Sequence, residues 1–266
     1  MEKTRMPVLF VGHGSPLLAL EDNEITQGMA AAAEDVVRRY GRPRAILAIS
    51  AHWFTRGTFV QSAKAPRQVY DMYGFPRELY ELTYPVSGSA ELTDAVRREL
   101  GDAVQVNDDW GIDHGTWSVL VHMFPEADIP VVQLSVDGTS AHERAYEIGR
   151  ALAPLRDEGY LIVASGNVVH NLQRVDWEHP DAASPATLSF NERIIQEVTA
   201  RNDRAVIDFE RLPNADYAAP TPDHFLPLLY TLGASEGEPA RVFNNISNMG
   251  SMSMTGFVFE PAQDRM

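Results

Sequence analysis

At 266 residues, 44% of them hydrophobic, the chain is long enough to bury a sizeable core. Its formal net charge of −15, with Lys and Arg scattered rather than bunched, excludes a basic surface for nucleic acid, and the absence of cysteine excludes disulfides, thiolate ligands and cysteine nucleophiles. No run approaches the ~18 apolar residues of a membrane span, and the start "MEKTRMPVLFVG" lacks the apolar core and cleavage site of a signal peptide, so a soluble cytoplasmic protein is expected, with neither nucleic acid nor membrane as partner.

In chain order, short β-rich runs alternate with longer amphipathic ones. "PVLFVG" (7–12) predicts a buried strand, being almost continuously apolar and stopping at glycine. Residues 25–40 predict a helix, "AILAIS" (45–50) a second strand, and 89–100 a helix with Ser89 as N-cap. "IPVVQLSV" (129–136), a helix over 140–157 opened by Ser140, and "YLIVASG" (160–166) continue the alternation. Helices over 185–201 and 223–233 follow, while the proline-rich stretches 179–186 and 213–227 predict loops rather than linkers, because apolar patterning resumes directly afterwards. The end, "ARVFNNISNMGSMSMTGFVFE", predicts a closing hairpin or edge strands. No internal repeat is visible. The expected fold class is α/β: a single domain, 1–266, with a central mostly parallel or mixed β-sheet flanked by helices on both faces.

In such a sheet, ligands bind beyond the carboxyl ends of the strands, so polar residues in the loops just after buried strands are candidate site residues. His13 follows "VLFVG", His52 follows "ILAIS" and His170 follows "LIVASGNVV", so that three histidines remote in sequence are expected on one rim. His114, in "WGIDHGTW", and His224, in "PTPDHFLPLLY", stand at helix entrances. His122, His142 and His179 fall in a helix interior, a first helical turn and a proline-flanked loop, and carry no chemistry in this reading. Any one of the five taken alone is better read as a structural or surface histidine; together, in a chain without cysteine, they point to a metal or an acid–base site.

The opening motif "GHGSP" invites two rival readings. A nucleophile elbow needs G-x-S-x-G and an N–H after the serine, but Pro16 has none. A dinucleotide fingerprint needs a glycine where Leu17 stands. Metal ligation by His13 survives best, with Gly12 and Gly14 expected to leave room for the ion.

"GHGSP", "SAHWFT", "WGIDHGTW", "VVQLS", "ASGNVVHNL" and "HFLPLLY", in that order from residue 12 to residue 230, resemble the 4,5-DOPA dioxygenase branch of the class III extradiol ring-cleaving dioxygenases. The resemblance implies one divalent non-haem metal per chain, Fe(II) in catalysis, and a catechol (DOPA-like) substrate opened by O2 to a muconic semialdehyde. It matches His13 and His52 to metal ligands. Protocatechuate-type relatives complete the facial triad with a glutamate, whereas the matching segment here offers His224, beside Asp223, as the third ligand. A neutral third ligand should leave the site more positive, favouring a doubly charged substrate and making Zn(II) competitive. His170 matches the family's acid–base histidine, and could close a tetrahedron as a fourth ligand in a zinc form; His114 matches the second pocket histidine, bonding to substrate or oxygen. Asn167 is a candidate to orient His170. Tyr73, Phe75, Trp53 and Trp117 could shape an aromatic pocket, although core packing explains each as well. A zinc-dependent hydrolase and a non-catalytic binding protein on the same scaffold are the alternatives; retention of all five histidines argues against the latter.

Overall fold

The computed structural model describes residues 5–261, so the first four residues of the segment searched for a leader lie outside it. The apolar runs become the middle of an eight-stranded mixed sheet. In chain order its strands are β1 (Val8–Gly12), β2 (Ala45–Thr55), β3 (Thr58–Val60), β4 (Val104–Val106), β5 (Val131–Asp137), β6 (Tyr160–Gly166), β7 (Ala240–Phe243) and, after the two-residue strands β8 (Ser247–Asn248) and β9 (Met252–Ser253), β10 (Gly256–Phe259). They lie in the order β4-β3-β5-β2-β6-β1-β10-β7, while β8 and β9 pair in a small ribbon of their own. The central β5-β2-β6-β1 block is parallel. The expected closing hairpin is β7 with β10, which adds antiparallel strands at one edge.

Residues of the central strands divide by parity between two cores. Val8, Phe10, Leu47, Ile49, Ile162 and Ala164 face one side, and Leu9, Val11, Ile46, Ala48, Leu161 and Val163 the other. Each side is capped by helices, which explains why these strands read as continuous apolar runs rather than alternating ones. Helices α1 (Glu24–Tyr40), α2 (Arg77–Glu81), α3 (Ala90–Leu100), α4 (His114–Met123), α5 (His142–Leu152), α6 (Pro185–Thr199), α7 (Asp203–Ile207), α8 (Ala215–Ala218) and α9 (Leu226–Ala234) complete a single α/β domain. The first core packs on α3, α5, α6 and α9, the second on α1 and α4. Among the described residues no helix is long and apolar enough to cross a membrane.

Local chemistry explains where the elements depart from expectation. Ser89 caps α3, accepting from Leu92 N–H at 3.2 Å. Ser140 caps nothing: its hydroxyl donates to Asp137 Oδ2 at 2.6 Å, and α5 begins later, behind Ala141. The helix expected over 140–157 ends at Leu152 and tightens into a 3₁₀ turn, Ala153–Glu158, where Pro154 supplies no N–H. The last helix starts at Leu226 rather than 223, because Phe225 and Leu226 N–H both close on the Pro222 carbonyl as a turn. Within the expected loop 213–227 the single turn of α8 forms. The short strands β3 and β4 and the helices α2 and α7 lacked a sequence signal, being three to five residues long.

Candidate metal centre

Sheet register assembles the site. Gly12 stands opposite Gly166 and Ser50 opposite Ser165, so β1, β6 and β2 deliver their following residues at one level. His13 is the first residue after β1, and its N–H donates to the Gly166 carbonyl at 3.1 Å. His52 reaches the same rim by another route than a loop: it lies inside β2, which runs on to Thr55. There Ile49 pairs with Leu134 but Phe54 with Val136, a bulge of extra residues in β2 that re-aims the side chains between them. His170 is fixed by its N–H to the Ala218 carbonyl at 2.8 Å, and the His224 carbonyl accepts from Asn167 N–H at 2.8 Å. His114 opens α4, whose N-cap Asp113 accepts from Thr116 N–H.

All five candidate histidines therefore meet. The His13 ring centre is 5.0 Å from that of His52, 5.1 Å from that of His224 and 5.8 Å from that of His114. His52 lies 3.8 Å from His114 and 5.1 Å from His224, centre to centre. His170 stacks on His224 at 3.5 Å with an interplanar angle of 6°. Possible ligand atoms of His13, His52 and His114 lie within 4.8 Å of one another, as do those of His170, Asp223 and His224. The expected trio His13, His52 and His224 spans these two adjoining groups. His122 bonds the Leu18 carbonyl, His142 stacks on Phe209 beside a separate cavity of about 360 Å³, and His179 pairs with Asp176, all outside the cluster.

Each ligand candidate has its Nδ1 beside an oxygen. His13 Nδ1 is 2.8 Å from Ser165 Oγ, His52 Nδ1 is 3.0 Å from Asp71 Oδ2, and His224 Nδ1 donates to Asp223 Oδ2 at 2.5 Å. His114 Nδ1 is 3.0 Å from Asp71 Oδ1, the oxygen that also accepts the His114 backbone N–H at 2.9 Å. A carboxylate that accepts from Nδ1, as Asp223 does from His224, fixes an imidazole's tautomer and directs its Nε2 elsewhere, whereas the Ser165 hydroxyl can donate to or accept from His13, and His114 Nδ1 makes no hydrogen bond. Asp113 is itself held by Ser50, Trp110 and Gln133. Asp71 and Ser165 were missed in the sequence: a lone aspartate in "VYDMYG" has no spacing that ties it to histidines before and after it.

The electrostatics follow from burial. His13 is held well below the ordinary imidazole range, by desolvation and then by His52 and its other neighbours. Desolvation lowers His224 to about 4, partly offset by Asp223, and lowers His170 to about 2, aided by His224. At His52 burial is outweighed by Asp71, Asp113 and Asp223, which raise it. Burial would raise Asp71 and Asp223 too, but contacts with His114 and His52, and with His224, hold both carboxyls well below their usual range. Two anions thus stand directly behind the histidines.

Other expectations are also revised. Gly12 and Gly14 make room for protein rather than for an ion: a Cβ on Gly12 would lie 2.7 Å from the Met254 backbone, and one on Gly14 2.7 Å from Met254 Sδ. Asn167 does not orient His170; its amide donates to the Ser253 carbonyl at 2.8 Å and its Oδ1 accepts from Gly14 N–H at 3.3 Å. Trp117 and Trp53 are buried, Trp117 donating to the Val69 carbonyl, Phe75 packs partly buried against the second core, and Tyr73 is 92% exposed. These four build no enclosed aromatic pocket.

The residues fit a metal. His13 and His52 bring their Nε2 atoms to 3.1 Å, and two lone pairs at that separation repel unless a proton or cation is shared between them. His224 Nε2 is buried with no hydrogen-bond partner at all, a costly state for a polar atom unless something binds it. Neutral imidazoles in this number suit zinc or iron.

Residues 7–260 match the family model described as the catalytic LigB subunit of aromatic ring-opening dioxygenase. Over 260 residues the chain is 43% identical to 4,5-DOPA dioxygenase extradiol of Escherichia coli (strain K12), covering 96% of this chain and 94% of that one. It is 34% identical to 4,5-DOPA dioxygenase extradiol of Beta vulgaris, covering 94% and 95%. A crystal structure of an uncharacterized protein from Escherichia coli K12 superimposes with a TM-score of 0.83 at 40% identity, covering 96% of this chain and all of that one.

Proposed function

The chain belongs to the family of catalytic LigB subunits of aromatic ring-opening dioxygenases, an oxidoreductase family, and from that premise we propose an Fe(II)-dependent extradiol cleavage of a catechol, DOPA or a relative, to a muconic semialdehyde. The whole chain, 1–266, works as one catalytic domain. His13, His52 and His224 would hold the metal through Nε2, and the observation that carries this is the buried, unpartnered Nε2 of His224, whose Nδ1 is already engaged by Asp223. His114 is set apart from the ligands, its backbone N–H bonded to Asp71 and its Nδ1 3.0 Å from the same oxygen.

Fe(II) held by these residues would supply the redox chemistry that joins O2 to the catechol, in which both oxygen atoms enter the product and no external reductant is consumed. His170, kept neutral by burial, takes the proton of a catechol hydroxyl and returns it as the ring opens. Its parallel stack on His224 argues against the fourth-ligand role, since an imidazole lone pair lies in the ring plane and the ring would have to leave the stack to share an ion. His114 Nε2 faces the substrate or its oxygens. Zn(II) fits the same donors and would compete with Fe(II) for them.

The test is anaerobic loading with Fe(II), addition of a panel of catechols, then air. Stoichiometric O2 uptake with a yellow product is expected from at least one catechol. A fully loaded enzyme inert to the whole panel refutes the reading.

A further inference from the structure

Asp71 stands on a segment outside any strand or helix, and its largely buried carboxylate lies against two histidines at once. Its Oδ1 accepts the His114 backbone N–H at 2.9 Å and lies 3.0 Å from His114 Nδ1, a buried atom that makes no hydrogen bond in this structure and for which this carboxylate is the acceptor at hand, while its Oδ2 lies 3.0 Å from His52 Nδ1. The segment that carries it is anchored along its length. Val69 N–H donates to the Ile112 carbonyl and Ile112 N–H to the Arg67 carbonyl, Trp117 Nε1 donates to the Val69 carbonyl, and the Gln68 side chain bonds Leu82 and Tyr84. An aspartate on a strap fastened to the start of α4 and to the stretch before α3 cannot follow one histidine without carrying the other.

We infer that Asp71 is a positioning residue that clamps His52 and His114 together, holding both rings as Nδ1–H tautomers so that one Nε2 is offered to metal and the other to substrate. The two rings are only 3.8 Å apart, and without a shared anchor each could turn its Nδ1 inward or donate to the other. The carboxylate forbids both, because it accepts and cannot donate. Binding a metal at His52 then also sets the ring of His114. Asp223 does the same work for His224 alone, so the two aspartates should be separable by experiment.

The inference rests on the proposed metal ligation by His52, and its test is read without turnover. Zn(II) affinity of the full chain is measured by competition with a chromophoric chelator, and histidine tautomers in the Zn(II)-loaded, ¹⁵N-histidine-labelled protein by long-range ¹H–¹⁵N correlation. The wild type should show Nδ1–H at both His52 and His114. Asp71→Asn should lose about 10- to 100-fold in affinity and disturb both rings, whereas Asp223→Asn should lose affinity with the His114 ring signals unmoved. If Asp71→Asn fails to fold, Asp71→Glu reads the same two quantities, with smaller losses expected. Wild-type affinity with an unchanged His114 tautomer in the Asp71 variants overturns the clamp. A wild-type Fe(II) enzyme that opens no catechol, beside an Asp71→Asn chain that still loses metal and tautomer, would sink the dioxygenase reading and leave the clamp standing.

Discussion

Substituting Gly166 by alanine should displace a metal ligand without touching any histidine. An added Cβ would lie 2.2 Å from the His224 carbonyl oxygen, 3.2 Å from its carbonyl carbon and 3.3 Å from Pro227 Cγ, so no side-chain rotation relieves the clash. The turn over 222–225 must retreat by about 1 Å to reach ordinary contact, a strain of about 1–3 kcal/mol by comparison with overpacked cores. The retreat also stretches the Asn167 N–H bond to that same carbonyl, now 2.8 Å. With His224 moved by that much, metal affinity should fall about 10- to 100-fold, and turnover at saturating metal by about 100-fold. Gly233→Ala is the control: its Cβ would meet the Tyr146 carbonyl oxygen at 2.0 Å where α9 crosses α5, so it should destabilise the fold at least as much while leaving the ligands in place. Thermal melts and chelator competition, both variants being assayed well below their melting points, separate the two effects. Wild-type metal affinity in Gly166→Ala, or equal losses in both variants, would refute the idea that contact between β6 and this turn positions His224.

His13→Ala and His52→Ala should each abolish metal binding, with circular dichroism unchanged, whereas His170→Ala should retain one metal per chain by elemental analysis and lose ring cleavage. Ser165→Ala removes the oxygen beside His13 Nδ1 and should weaken Zn(II) binding about 10-fold in the same chelator assay, with no change in unfolding free energy beyond about 1 kcal/mol. Asp137 accepts hydrogen bonds from Gly57 and Thr139 N–H and from the Thr139 and Ser140 hydroxyls, and although burial opposes it these bonds lower its carboxyl from 3.8 to about 2. Because the folded value is the lower one, its contribution is complete above the unfolded value near 4 and is lost as pH falls towards 2. Asp137→Ala should therefore cost about 1–2 kcal/mol at pH 7, and urea midpoints of variant and wild type should converge near pH 2.

What the sequence made legible was whatever depended on neighbours in the chain. Each of the strands holding Val8, Ile46, Val132 and Ile162 is apolar on both sides, so its burial was readable, and with it the rim on which His13 and His170 had to lie. His52 was placed correctly on a partly wrong premise: the strand continues past it, and a bulge takes the place of the loop. A bulge is set by the partner strand, which composition does not report. Ser89 and Ser140 looked alike as caps, yet Asp137 captures Ser140 from three residues upstream, and only the fold shows which contest an oxygen wins. Asp71 and Ser165 were beyond reach for the same reason, since what makes them matter is the histidine each meets, far along the chain.

The unforeseen Asp71, with Asp223, changes the charge argument that the histidines alone suggest. Three neutral imidazoles around a divalent cation would leave two unbalanced positive charges, which argues for a doubly ionised catechol. Here Asp71 and Asp223 stay ionised, each in contact with a candidate ligand's Nδ1, so a cation held by His13, His52 and His224 already has its charge matched by groups that do not ligate it. In a buried site a matched charge no longer rewards a second negative charge on the substrate. In the proposed reaction, a catechol would then be better bound with one hydroxyl proton still in place, leaving that proton for the proposed base, His170, to remove. The lowered pKa of His170 leaves the free imidazole unprotonated but a weak base, so the proposed proton transfer requires its imidazolium to be stabilised once substrate is bound, a direction in which Asp223 already acts.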